Sequence, residues 1–232
     1  MGAELRTAKW YNIPSKEERN EMKKLVLGLL MVFAVTAEAT IVKEYTLNDS
    51  LTATLDDQGV LSIIGSGAMP NWTDWSDQAW CNEFNKIKSV VAEGVTSVGD
   101  YAFDDCRYLT SVSFPSATTI GENAFCGCKS LTSVSLPNAT AIGEGAFAYC
   151  ENLTSVPLLN VTTIGKGAFS RCTSLKSVYA PSVTSIGESA FAVCSSLTSV
   201  SLPNATSIGQ TAFAACLALK TIVVSMASCR AA

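Results

Sequence analysis

The chain has 232 residues, is 48% hydrophobic and 16% charged, and carries a formal net charge of −4. That balance excludes a disordered chain and leaves no electrostatic footprint for nucleic acid. It contains no histidine, which excludes Ser-His-Asp and Cys-His catalysis, histidine metal sites and a histidine pH switch.

Residues 1–21 are polar, of mixed charge, and precede a second methionine, Met22. They read either as a start assigned too early or as an extended n-region. Residues 22–39, MKKLVLGLLMVFAVTAEA, have the form of a secretory signal peptide: two lysines, an apolar run from Leu25 to Ala37, and the small-x-small pattern Ala37-Glu38-Ala39. The run is too short to span a bilayer, which needs about 20 apolar residues. The expectation is cleavage after Ala39 and no stable membrane span in the mature chain.

Residues 40–89 are read as an N-terminal β cap. Period-2 alternation around Asp56-Asp57-Gln58-Gly59 predicts a β-hairpin turning at Gly59. Trp72, Trp75 and Trp80 follow. Such a cluster can stack on sugar rings or plug the top of a repeat array, and the plug is the favoured reading.

From residue 90 to 224 a 22-residue repeat governs the chain. Phe103, Phe125, Phe147, Phe169, Phe191 and Phe213 keep that spacing, as do Cys106, Cys128, Cys150, Cys172, Cys194 and Cys216. Gly99 to Gly209 and Leu109 to Leu219 recur in step with them. Several residue types repeating together define a solenoid. In the unit Leu131–Asn152, Leu131, Val134 and Leu136 predict a short strand ended by Pro137. Ala139 to Ile142 predict a second extended piece running into Gly143, expected as a positive-φ corner. Ala146, Phe147 and Cys150 are spaced for one helical or 3-10 turn. The fold class expected is therefore an α/β repeat solenoid, β-dominated, with parallel strands and one short helical or 3-10 turn per coil. Residues 225–232 are read as an uncapped end, either truncated or paired with something.

The pattern L-x-x-V-x-L-P…I-G-x-x-A-F-x-x-C resembles the BspA-like bacterial leucine-rich repeat family, and the segment from Leu51 to Gly99 resembles that family's lead-in. The resemblance implies a curved, right-handed parallel-β solenoid, secreted or at a bacterial cell surface, with a role in adhesion or host-protein binding and no enzyme activity. Pro157 and Leu159 depart from the usual proline position, and Ala180 replaces a large inward residue.

The six repeat cysteines must share an internal column, as a thiol ladder or as bridged pairs, and geometry favours the ladder. Cys81, Cys126 and Cys229 are off register and are the better disulfide candidates. No metal, cofactor or catalytic site is expected. Asp100, Glu122, Glu144 and Glu188 share a column read as a solvated face rather than a calcium stripe, and Asp104-Asp105 as a loop pair. The candidate partner-binding surface is the strand exterior: Thr110, Ser113, Thr132, Ser135, Thr154, Lys176, Tyr179, Thr198 and Ser201. Small polar residues suit any exposed strand, so Lys176 and Tyr179 carry the functional reading. The expected partner is an extracellular protein or glycan. The alternative is a structural solenoid that assembles end to end.

Overall fold

A computed structural model describes residues 39–74 and 76–224. Residues 1–38, on which most of the expected signal peptide falls, Trp75 and residues 225–232, among them Cys229, lie outside them. The described residues begin with strands β1 (Ile41–Thr46), β2 (Leu51–Asp56), β3 (Val60–Gly65) and β4 (Gly67–Ala68). β2 and β3 form the predicted antiparallel hairpin, with Leu55 opposite Leu61 and Gly59 at φ +87° in the turn. β1 pairs antiparallel with the outer side of β2.

The repeats then contribute β5 (Ser89–Ala92) and β6 (Val95–Val98), β7 (Ser111–Ser113) and β8 (Thr119–Ile120), and β9 (Ser133–Ser135) and β10 (Ala141–Ile142). The next coil has only β11 (Thr163–Ile164). It is followed by β12 (Ser177–Tyr179), β13 (Ser185–Ile186), β14 (Ser199–Leu202), β15 (Ser207–Ile208) and β16 (Thr221–Val224). Pairing between coils is parallel and in register at 22 residues, as in Val112 beside Val134 and Ile142 beside Ile164. The even-spaced short strands β4, β6, β8, β10, β11, β13 and β15 make one continuous sheet. The longer strands make two, β1-β2-β3-β5-β7-β9 and β12-β14-β16.

The core is the expected set of columns. Phe103, Phe125, Phe147, Phe169 and Phe191 are fully buried, with the leucine and cysteine columns beside them. Successive rings lie 5.1–5.4 Å apart and within 14° of parallel, down to Phe213. Trp80 continues the stack beyond Phe103 at 5.0 Å and 10°.

The third side of each coil differs from expectation. No helix is present among the described residues; Glu144 to Tyr149 lie in consecutive turns and Cys150 follows them. Alternate N–H groups bond in different directions, which a helix does not permit. Ala102 and Asp104 donate back along their own coil to Gly99 and Tyr101, whereas Tyr101, Phe103 and Asp105 donate to the carbonyls of Glu122, Ala124 and Cys126 in the next coil. The pattern recurs coil after coil, so the turn side is itself a hydrogen-bonded ladder along the rod.

That ladder requires two left-handed residues per coil. They are Tyr101, Asn123, Gly145, Gly167, Ser189 and Thr211 in one column, and Asp105, Gly127, Tyr149, Arg171, Val193 and Ala215 in the other. Gly143 is not among them, against expectation. Its column is glycine because neighbouring coils touch there: a Cβ on Gly143 would lie 2.7 Å from the carbonyl carbon of Gly121.

Candidate functional site

The strand exterior is uniform and largely committed to holding itself together. Thr110, Thr132 and Thr198 each donate a side-chain hydroxyl to the carbonyl of the preceding coil, at 2.8, 3.1 and 3.0 Å. Thr154 is exposed and accepts the Lys176 N–H at 3.2 Å. A parallel threonine row, Thr118 to Thr206, does the same beside the short strands. The hydroxyls of Thr110, Thr132 and Thr198, which sequence alone makes available to a ligand, are therefore occupied.

Ser113 and Ser135 face each other across β7 and β9, and Tyr179 faces Ser201 across β12 and β14. Position 157 falls between these two pairs and holds proline. Proline has no N–H for the ladder, and residues 153–158 form no strand. The bond that Phe114 makes to Ser135 and Ala180 makes to Ser201 has no counterpart at this coil among the described residues. The other coils place proline two positions later, at 115, 137, 181 and 203, where this coil has Leu159. Exposed around the break are Pro157, Lys176, Leu159 at 57% and Tyr179 at 58%. Spacing identifies Lys176 and Tyr179 as exceptions; it does not reveal that they flank a discontinuity in the sheet.

The turn side carries the carboxylate column. Asp100 accepts the Glu122 N–H at 2.7 Å, Glu122 accepts the Tyr101 hydroxyl at 2.9 Å, and Glu188 lies 3.7 Å from Lys166. Arg171 sits over the Tyr149 ring at 5.4 Å. These groups balance one another within a solvated face.

The six repeat cysteines are free thiols, as the ladder reading expects. From Cys128 onward each Sγ donates to the carbonyl of the phenylalanine 25 residues earlier, at 3.1–3.2 Å. Burial pushes the Cys172 thiol up to about 12 and raises Cys106, Cys128 and Cys150 as well, so these interior thiols are unreactive at neutral pH, whereas its hydrogen-bonded neighbour Cys194 pulls the Cys216 thiol below its ordinary value. Cys81 and Cys126 are also free, which corrects their reading as disulfide candidates. Burial and the neighbouring Asp104 hold Cys126 protonated, up to about 12. Asn138 and Asn204, each the first residue of an Asn-Ala-Thr triplet, are likewise tied down, their side-chain amides donating to the carbonyls of Pro115 and Pro181 at 2.7 and 2.8 Å.

At the first coil the turn ladder presents carbonyls with no preceding coil to supply donors. The Trp72 N–H bonds Asp100 at 3.0 Å. Trp80 Nε1 bonds Ala102 at 2.9 Å, and Gln78 Nε2 bonds Asp104 and Tyr101 at 3.1 and 2.6 Å. Two tryptophans and a glutamine thus replace the missing backbone. Gln78 and Asp104 escape a reading by repeats, since neither belongs to a column of constant chemistry.

Parallel strands, in-register columns and a buried leucine–phenylalanine core define a bacterial-type leucine-rich-repeat β-solenoid of about six turns. The chain matches the BspA type leucine rich repeat region over residues 73–183 and 118–230, in six copies, and belongs to that family. Among solved structures it is similar to a leucine rich cell surface protein of Faecalibacterium prausnitzii, at 28% identity and a TM-score of 0.60, covering 83% of this chain and 56% of that one. The pneumococcal vaccine antigen PcpA shares the fold at 20% identity and a TM-score of 0.57, covering 83% of this chain and 52% of the antigen. The chain thus spans about half the length of these relatives. No curated protein matches it. No helix of the described residues is long and apolar enough to cross a membrane.

Proposed function

We propose that this is a secreted or cell-surface binding module that holds an extracellular protein or glycan on its strand face, centred on Lys176 and Tyr179. The observation that carries the reading is the interruption at Pro157: a face otherwise lined by threonines and serines presents one exposed tyrosine, leucine, proline and lysine together. An exposed tyrosine is a typical anchor for a partner. Binding would work by shape and multiple weak polar contacts on a rigid face, with no bond-making step. Residues 22–39 would direct export and be removed after Ala39, residues 40–89 would cap the first coil, and residues 90–224 would form the binding body. The cell-surface relative in Faecalibacterium supports the address.

A photo-crosslinking residue in place of Tyr179 tests the face, with one in place of Tyr149 on the turn side as control. Partners from host extracellular material should be captured at 179 in preference to 149, and Lys176→Ala with Tyr179→Ala should abolish their binding. Equal capture at both positions, or full binding by the double variant, refutes the assignment. A second reading, self-association, is favoured by Ile222 and Val223 on β16, 46% and 50% exposed. Sedimentation across concentrations decides it, and a strict monomer removes it.

A further inference from the structure

Beside the first coil, away from the strand face, lies a hollow of about 70 Å³ lined by Gln78, Phe84, Asp104 and Asp105. Gln78 belongs to the segment that precedes the coils, and Asp104 to the turn side of the first coil. Gln78 is 2% exposed, and its Nε2 donates to the Tyr101 and Asp104 carbonyls. Those two bonds fix the orientation of the amide, since a flip would set oxygen against oxygen. Its Oε1 has no hydrogen-bond partner, a costly state for a buried acceptor. Asp105 is already paired with Arg107 through two bonds at 2.9 and 2.8 Å. Asp104 has no basic partner among the described residues, and its carboxyl is the lining group that a proton would turn into a donor.

The groups that face Asp104 favour that proton. Asp105 on its own turn and Asp74 from the preceding segment are both acidic, and Cys126 on the next coil bonds the carboxyl through its thiol. Desolvation first, then the two acidic neighbours, push Asp104 up to about 6 against that bond. Hydrogen bonds from Ser76 hold Asp74 ionised. Burial keeps the Cys106, Cys126 and Cys128 thiols protonated. The Tyr101 hydroxyl, lowered by Asn123 but raised more by Glu122, keeps its proton as well. Ionised, Asp104 adds only acceptors to the hollow; protonated, it supplies the donor that Gln78 Oε1 lacks. We propose that the Asp104 carboxyl is a proton-operated latch: its O–H donates to Gln78 Oε1, tightening the segment around Gln78 onto the first coil in mildly acidic surroundings and loosening it at neutral pH. The latch is independent of the strand face and stands whether or not that face binds a partner.

An NMR titration of the folded full chain from about pH 8 to about pH 4 tests it, read at the Asp104 carboxyl carbon and the Gln78 side-chain carbonyl carbon. Both should move through one midpoint, at about pH 6. Exchange of the Trp80 indole N–H, corrected for its intrinsic pH dependence, should slow by about tenfold from the neutral to the acidic end. Asp104→Asn keeps a donor at every pH, so its Gln78 carbonyl should stay still and its Trp80 exchange slow throughout. Asp104→Ala has no donor, and its exchange should stay fast throughout. Both variants are checked to be folded by their spectral dispersion, and the parent titration decides without them. A Gln78 carbonyl that stays still while Asp104 titrates would mean that water and not the carboxyl satisfies Oε1, and overturns the proposal. So does an Asp104 midpoint at its ordinary value of 3.8, or a slowing that persists in Asp104→Ala.

Discussion

Replacing Trp80 by phenylalanine separates two contributions that the structure assigns to one side chain. Trp80 is fully buried, stacks on Phe103 at 5.0 Å and donates Nε1–H to the Ala102 carbonyl at 2.9 Å. Phenylalanine retains a ring for the stack and removes the donor. The Ala102 carbonyl, which in later coils would receive a backbone N–H, is then left unpaired in the interior. A buried acceptor stripped of its partner costs about 1–3 kcal/mol. Truncation to alanine adds the lost packing and should cost about 3–5 kcal/mol or more. Because solenoid stability is a sum over neighbouring coils, the loss should be concentrated at the first coil. Urea unfolding followed by circular dichroism gives the total, and amide exchange at Phe103 and Asp105 gives its location. A Trp80→Phe protein within about 0.5 kcal/mol of the parent, with unchanged exchange at the first coil, would refute the reasoning.

Four further outcomes follow from the packing and the charges. Phe147→Ala, in the middle of the ring column, should cost about 3–5 kcal/mol in urea unfolding, and Phe213→Ala, partly buried, distinctly less. Gly143→Ala should destabilise by about 1–3 kcal/mol, because the added methyl meets Gly121 backbone at 2.7 Å; a neutral result would mean the coils separate there at little cost. Pro157→Ser returns a donor to the broken ladder and should slow amide exchange across residues 153–158, although the greater freedom of the unfolded chain keeps the net stability change within about 1 kcal/mol. Ionised Asp104 opposes folding: its favourable contribution is complete below its ordinary value of 3.8 and is lost as pH rises through about 6. Asp104→Asn should therefore be more stable than the parent at pH 7 and level with it below about pH 4. Full conversion of the shift would be about 3 kcal/mol, and solvent at the exposed half of the carboxyl lowers this to about 1–2 kcal/mol. A difference independent of pH would refute the assignment.

The buried columns are legible in the sequence because burial imposes the same chemistry at each recurrence. Phenylalanine, leucine and cysteine each have one environment, repeated six times. The turn ladder is not legible for the complementary reason. Its left-handed positions hold tyrosine, asparagine, glycine, serine and threonine in one column, a shared backbone angle with no shared side chain. A helical turn is what Ala146, Phe147 and Cys150 suggest when only periodicity is read. Hydrogen bonds to the next coil, which no single coil encodes, decide otherwise. The glycine column misleads similarly: its constancy reflects the approach of a neighbouring backbone and not the sign of φ. On the strand face, sequence identifies Lys176 and Tyr179 as exceptions. Only stacking shows that the threonine hydroxyls are consumed and that Pro157 lies beside the exceptions.

The cysteine column also makes the rod a gauge of its own opening. From Cys106 to Cys172 each thiol is shielded and held protonated by burial while its coil is closed, and becomes alkylatable when that coil lifts from its neighbour. Four equivalent reporters thus stand at fixed intervals along one axis, from Cys106 to Cys172, with the coupled pair Cys194 and Cys216 beyond them. The order in which a mild alkylating agent labels them would trace fraying as a front advancing from either end, coil by coil, without any added probe.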